Sequence, residues 1–109
     1  MLIKILVVDD SAHDRSIFEK QLSNYCVLTA RNGMEAMRVL EEHNDVSLLI
    51  VDLSVPDTNG LQFLETLKTD EGFRDLPTLI LTDYNEPENE VKGLRLGATD
   101  YIRKPIYEE

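Results

Sequence analysis

Five apolar runs of strand length, at residues 2–8, 27–30, 48–51, 78–81 and 99–102, alternate with four stretches of helical length. This repeated change of period restricts the fold more than any other feature of the chain. Several of the runs are nearly continuous rather than alternating, the pattern of strands buried on both faces of a parallel sheet. Between them, 16–22 (Ile17, Phe18, Leu22), 34–40 (Ala36, Met37, Leu40) and 61–67 (Leu61, Leu64, Leu67) carry apolar residues at three- and four-residue spacing, and 88–96 carries Val91, Leu94 and Leu96. Asn32-Gly33 and Asn59-Gly60 punctuate helix starts, and Gly97 stands where a helix should end. A β-α alternation of this kind, closed by right-handed crossovers, gives a doubly wound α/β domain with a five-stranded parallel sheet. With 109 residues the chain is one domain, and neither repeats nor linkers interrupt it.

Charge narrows the function. The net charge of −10 opposes phosphate backbones and anionic membrane surfaces, so direct nucleic-acid binding and membrane attachment are not expected. Cys26 is the single cysteine and has no internal disulfide partner, and the apolar run at residues 2–8 is too short for a signal peptide or a membrane span. A cytoplasmic protein is expected.

In a doubly wound sheet, ligands bind beyond the carboxyl ends of the strands. Asp9 and Asp10 end the first strand, Asp52 the third and Thr82 the fourth, and Lys104 follows the fifth. All five should meet at one sheet edge. Three carboxylates so gathered repel one another unless a positive charge lies among them. A hard divalent cation with oxygen ligands, Mg²⁺, answers that need, with Lys104 as a second and movable charge. A carboxylate held beside Mg²⁺ and an ammonium is a nucleophile suited to phosphorus, and the Thr82 hydroxyl is placed to hydrogen-bond the phosphoryl group that arrives. His13 and His43 have no partners at metal-ligand spacing and read as exposed helix-flanking residues.

Four segments in order, VVDDS (7–11), IVDLSVPDTNG (50–60), LILTD (79–83) and GATDYIRKP (97–105), resemble the receiver domain of two-component response regulators over nearly the whole chain. That resemblance implies the flavodoxin-like strand order 2-1-3-4-5. It implies that Asp52 is the phospho-accepting residue and that Asp9, Asp10, Asp52 and the backbone carbonyl of Ser54 organise Mg²⁺. Thr82 would be the switch hydroxyl, Tyr101 the switch aromatic and Lys104 the phosphate-pairing lysine, with a cis peptide before Pro105. The implied function is a signalling switch that catalyses its own phosphorylation and dephosphorylation. Its donor would be a sensor histidine kinase or phosphotransfer protein, and its target an output domain or downstream protein.

Three departures from the family pattern stand out. Val55 replaces the usual methionine before the proline, a tolerable change of packing volume. Asp83 follows the switch threonine where a small residue is usual, and it would repel a phosphoryl group, help recruit Mg²⁺ or point to solvent. Beyond KPIYEE a fifth helix is expected, of which Ile106 and Tyr107 read as the first apolar residues; the domain is expected to be cut within that helix, so that the chain is either less stable than a longer one or covers the open flank by self-association, for which a homodimer is one form.

Other readings compete. An Mg-dependent aspartyl-phosphate phosphatase shares the Asp nucleophile but needs a second acid two residues later, where Ser54 stands. A flavodoxin-like cofactor binder needs a phosphate-cradling first loop, where DDSAHDR (9–15) places carboxylates. A receiver-like interaction module without phosphorylation is a third. Residue by residue, Asp10 taken alone is a cap for the first helix, Tyr84 a half-buried aromatic, and Asp57, Glu86, Glu88 and Glu90 a solvated acidic surface.

Overall fold

The computed structural model describes residues 2–53, 60–83 and 86–104. Its elements run β1 (Lys4–Val8), α1 (Ala12–Gln21), β2 (Cys26–Ala30), α2 (Gly33–Glu42), β3 (Val46–Asp52), α3 (Gly60–Thr69), β4 (Thr78–Asp83), α4 (Pro87–Arg95) and β5 (Asp100–Lys104). The strands form one parallel sheet in the order β2-β1-β3-β4-β5, as expected. Five strands and four helices are present among the described residues, so no fifth helix is seen there; Ser54, Val55, Asp57, Tyr84, Pro105, Ile106 and Tyr107 lie outside them.

Because successive strand residues face opposite sides, the near-continuous apolar runs feed two cores at once. Leu6, Val8, Leu49, Val51 and Ile80 pack with Ala36 and Leu40 of α2 and Phe63, Leu64 and Leu67 of α3. Ile5, Val7, Ile50 and Leu81 pack on the other side with Phe18 of α1. Ile102, whose register partner is Leu81, is 37 % exposed on that second side. None of the helices among the described residues is long and apolar enough to cross a membrane.

Local chemistry sets the helix ends. Asn32 caps α2, its side chain accepting from Glu35 N at 2.9 Å. Gly97, just past α4, has φ +112°, a conformation that a side chain would strain. At α1 the cap is Ser11, whose Oγ accepts from Asp14 N at 3.2 Å, and not Asp10. The helix therefore starts at Ala12, well ahead of Ile17, its first large apolar residue, through a polar turn that apolar spacing does not register. Of the two histidines, His13 is exposed within α1. His43 is not exposed: it is the half-buried C-cap of α2, with Lys4 Nζ 3.4 Å from its Nδ1.

Apolar spacing misplaces the buried face of α4. Val91 and Leu94 are 49 % and 42 % exposed, while Glu90 and Gly93 are buried. Gly93 lies directly against Ile80 Cδ1, so the helix approaches the sheet along the face that has no side chain there.

Candidate functional site

Parallel strands all present their carboxyl ends to one edge, and register decides which side chains meet. Val8 of β1 pairs with Val51 of β3, so the next residues, Asp9 and Asp52, emerge side by side. Both are buried, at 0 % and 2 % exposure. Lys104 ends β5, which is separated from β3 by β4. Two strand spacings come to roughly 10 Å, and a long flexible side chain is needed to return across that gap.

Lys104 makes the crossing. Its Nζ lies 2.7 Å from Asp52 Oδ2, 3.1 Å from Asp14 Oδ2 and 3.6 Å from Asp9 Oδ2. Burial alone would lower its pKa, but the hydrogen bond to Asp52 and the charges of Asp52 and Asp9 more than reverse this, and the net shift is upward. The ammonium is therefore charged throughout the physiological range. On the far side, Arg15 Nη1 donates to the backbone carbonyl of Asp9 at 2.7 Å.

Asp9 carries the strain of the site. Its Oδ1 accepts from Ser11 N at 3.0 Å, whereas its Oδ2 is buried without a hydrogen-bond partner. Burial pushes its pKa up to about 6, with the charge of Asp52 adding to the rise, while the Ser11 N–H and Lys104 oppose it. Carboxylate oxygens of Asp9, Asp10 and Asp52 all lie within 4.8 Å of one another. Asp10 is the exposed member of the group. An orphaned buried oxygen, a second buried carboxylate and an exposed third one form an oxygen-only donor set with open positions for water. That set fits Mg²⁺, which retains several waters and uses one or two carboxylates. Asp83, at the end of β4 and in register with Lys104, stands outside the cluster.

Thr82 is buried in β4, and its hydroxyl donates to Glu90 Oε2 at 3.1 Å. Glu90 is thus not part of a solvated acidic surface. Its carboxylate takes Arg103 Nε at 2.8 Å on Oε2 and Arg103 Nη2 at 3.1 Å on Oε1, a two-point pairing that offsets the cost of burying it. Arg103 holds the Glu90 carboxyl below its ordinary pKa, and Thr82 adds to that effect. Glu86 is half-buried and accepts from Asn89, and Glu88 is exposed. Tyr101 is half-buried beside β4, with the Arg103 guanidinium 5.4 Å from its ring centre.

Sequence reasoning thus named Asp9, Asp10, Asp52, Thr82 and Lys104 and missed Asp14, Glu90 and Arg103. Asp14 had a signal: it stands three residues after the helix-capping serine, in the first turn that rises beside the sheet edge. Glu90 and Arg103 had none, since each alone reads as surface charge. A cleft of about 340 Å³ at the opposite end of the sheet, lined by Leu40, His43, Phe73 and Pro77 among others, is remote from all of these groups.

A doubly wound parallel sheet with an acidic, lysine-bridged pocket at the carboxyl ends of β1, β3 and β5 defines a class of α/β domain whose polar groups gather at one sheet edge. Comparison with known proteins makes the class specific. The family model described as "Response regulator receiver domain" matches residues 5–109. Among curated proteins, the chain is 34 % identical over 107 residues to chemotaxis protein CheY1 of Helicobacter pylori, covering 95 % of this chain and 86 % of that one. It is 36 % identical over 104 residues to the phosphate regulon transcriptional regulatory protein PhoB of Pseudomonas aeruginosa, covering 94 % of this chain and 45 % of that one. Among solved structures, the chemotaxis response regulator CheY4 of Vibrio cholerae superposes with a TM-score of 0.88 at 29 % identity, covering 99 % of this chain and 91 % of that one. The chain belongs to the response regulator receiver domain family and is CheY-like.

Proposed function

We propose that this chain is a phosphorylation-dependent switch in which Asp52 accepts a phosphoryl group from a histidine of a sensor kinase or phosphotransfer protein. The observation that carries the reading is the hydrogen bond from Lys104 to Asp52 Oδ2, beside a buried Asp9 oxygen that accepts no hydrogen bond. Asp9, Asp10 and Asp52, joined by the backbone carbonyl of Ser54, would hold Mg²⁺. The ion, when bound, supplies positive charge for the phosphoryl oxygens during transfer.

The protein's own groups do the rest. An Asp52 oxygen attacks phosphorus as the phosphorus–nitrogen bond of the donor breaks; the imidazole leaves with a proton, and an aspartyl phosphate remains. Lys104, already hydrogen-bonded to Asp52 and with three donor hydrogens, moves onto a phosphoryl oxygen and keeps its charge there. Lys104 and Asp14 retain 20 % and 19 % side-chain exposure, so solvent reaches the groups around Asp52. Thr82 then turns its hydroxyl toward the phosphoryl group, and Tyr101 follows. The surface of α4 and β5 changes, and it is this surface that an output domain, a downstream protein or a second copy of the chain reads. The setting is cytoplasmic.

The test is incubation with acetyl phosphate and Mg²⁺. One acid-stable, base-labile phosphoryl group is expected on the parent chain, and none after chelation. Equal labelling of Asp52→Asn would show that the acceptor lies elsewhere.

A further inference from the structure

A hydroxyl has one hydrogen to donate. In this structure the Thr82 hydrogen is directed to Glu90 Oε2, 3.1 Å away, and the same carboxylate is held by two nitrogens of Arg103. We propose that Glu90, paired with Arg103, is a positioning residue of the switch: it retains the Thr82 hydroxyl in the unphosphorylated chain, and a phosphoryl group on Asp52 must win that hydrogen from it. The inference rests on Asp52 being the phosphoryl acceptor.

Three features suit Glu90 to this role. It is 6 % exposed, so water does not compete effectively for the contact. It projects from α4 onto the side of the sheet where Thr82 and its register partner Arg103 both lie, so helix, β4 and β5 meet at one carboxylate. Release is also cheap. When Thr82 turns by one staggered step of its side chain, Oε2 keeps Arg103 Nε and Oε1 keeps Arg103 Nη2, so the turn strands no Glu90 oxygen. The latch can therefore open without unfolding anything around it. Arg103 also lies 5.4 Å from the Tyr101 ring centre, so the pair that holds Thr82 touches the aromatic residue as well. Glu90 never meets the phosphoryl group; it acts through Thr82 alone.

The test uses the full chain with beryllofluoride as the phosphoryl mimic at saturating Mg²⁺, reading its half-saturating concentration in four proteins: parent, Glu90→Ala, Thr82→Ala and the double variant. Glu90→Ala is expected to bind the mimic about fivefold more tightly than the parent, the size of one net hydrogen bond. In the Thr82→Ala background the same substitution is expected to change binding by less than about twofold, because the group it restrained is gone. Glu90→Gln keeps the shape and one acceptor oxygen, and it is expected to tighten binding about twofold, again only when Thr82 is present; it serves if the alanine variant does not fold. Unchanged or weaker binding in the folded Glu90 variants overturns the proposal, as does an equal change in both backgrounds. Failure of the parent to bind beryllofluoride at all would instead overturn the phosphoryl reading on which the proposal stands.

Discussion

Lys104 Nζ lies 2.7 Å from Asp52 Oδ2, joining the end of β5 to the end of β3 across the intervening strand. The contact does two things. It screens Asp52 from Asp9, whose oxygen lies 3.6 Å from the same ammonium, and it stations a permanent positive charge beside the residue proposed as nucleophile. Asp14, at 3.1 Å, competes for that charge from α1. The ammonium is thus shared among three carboxylates, a balance that an added anion can shift.

Removing the ammonium exposes that balance. Lys104→Met in chelator is expected to lose about 1 to 3 kcal/mol of stability at about pH 8, because a largely buried charge pair loses one partner. Lys104 itself does not titrate in this range, since its pKa is raised. The pH dependence of the loss comes from Asp9, which below about 6 is protonated in the folded chain and no longer adds its charge. Urea unfolding at about pH 5 should therefore show a clearly smaller loss; an equal loss at both pH values would mean that Lys104 acts by packing.

Asp9 binds its proton more tightly folded, at about 6, than at its ordinary value of 3.8. Between those values folding takes up a proton, so this group's stabilising contribution is complete below the lower value and is lost as pH rises through the upper one. In metal-free solution the parent should lose about 1 to 2 kcal/mol relative to Asp9→Asn between about pH 4 and pH 7, a figure reduced for screening at the open side of the pocket. Asp9→Asn should then be at least as stable as the parent at neutral pH. Parallel stability curves for the two proteins would contradict the assignment.

Asp10 should behave differently because it is exposed. Asp10→Asn is expected to leave metal-free stability within about 0.5 kcal/mol of the parent, yet to weaken Mg²⁺ binding roughly tenfold, since one ligand charge is lost from a site that has few. Calorimetric titration with Mg²⁺, set beside a melting curve in chelator, separates the two effects.

Two glycines probe the framework behind the site. A Cβ at Gly60 would lie 2.6 Å from the Leu53 carbonyl oxygen and press on the Leu53 backbone, immediately after Asp52. Gly60→Ala is expected to cost about 2 to 3 kcal/mol and to slow phosphoryl acceptance. At Gly93 the obstacle is the flexible end of Ile80, and alanine favours the helix, so Gly93→Ala should stay within about 1 kcal/mol of the parent. Equal costs would show that Leu53 yields as readily as Ile80 does.

Much of this molecule is local and was legible without coordinates. Strands buried on both faces must be nearly all apolar, so β1, β3 and β4 announce themselves, and parallel strands must expose their carboxyl ends together, so Asp9, Asp52, Thr82 and Lys104 fall at one edge. The capping of α2 by Asn32 is likewise written in four adjacent residues. Where apolar patterning misled, it did so at α4, because it assumes that charges face water and apolar residues do not. Val91 and Leu94 break that assumption in one direction and Glu90 in the other.

Sequence alone thus determined the kind of sheet, the order of its elements and which side chains lie at its carboxyl edge, all of which follow from period, turn chemistry and chain direction. Only the tertiary structure decided what those groups touch. The register of β4 against β5 sets Thr82 opposite Arg103, and the close approach of α4 at Gly93 lowers Glu90 between them. The crossing of Lys104 over β4 to Asp52, and its capture by Asp14, depend in the same way on distances between segments far apart in the chain. A carboxylate carries the same formal charge on a surface or in a core; which of these it occupies is settled by the partners that folding brings to it, and those partners are not its neighbours in sequence.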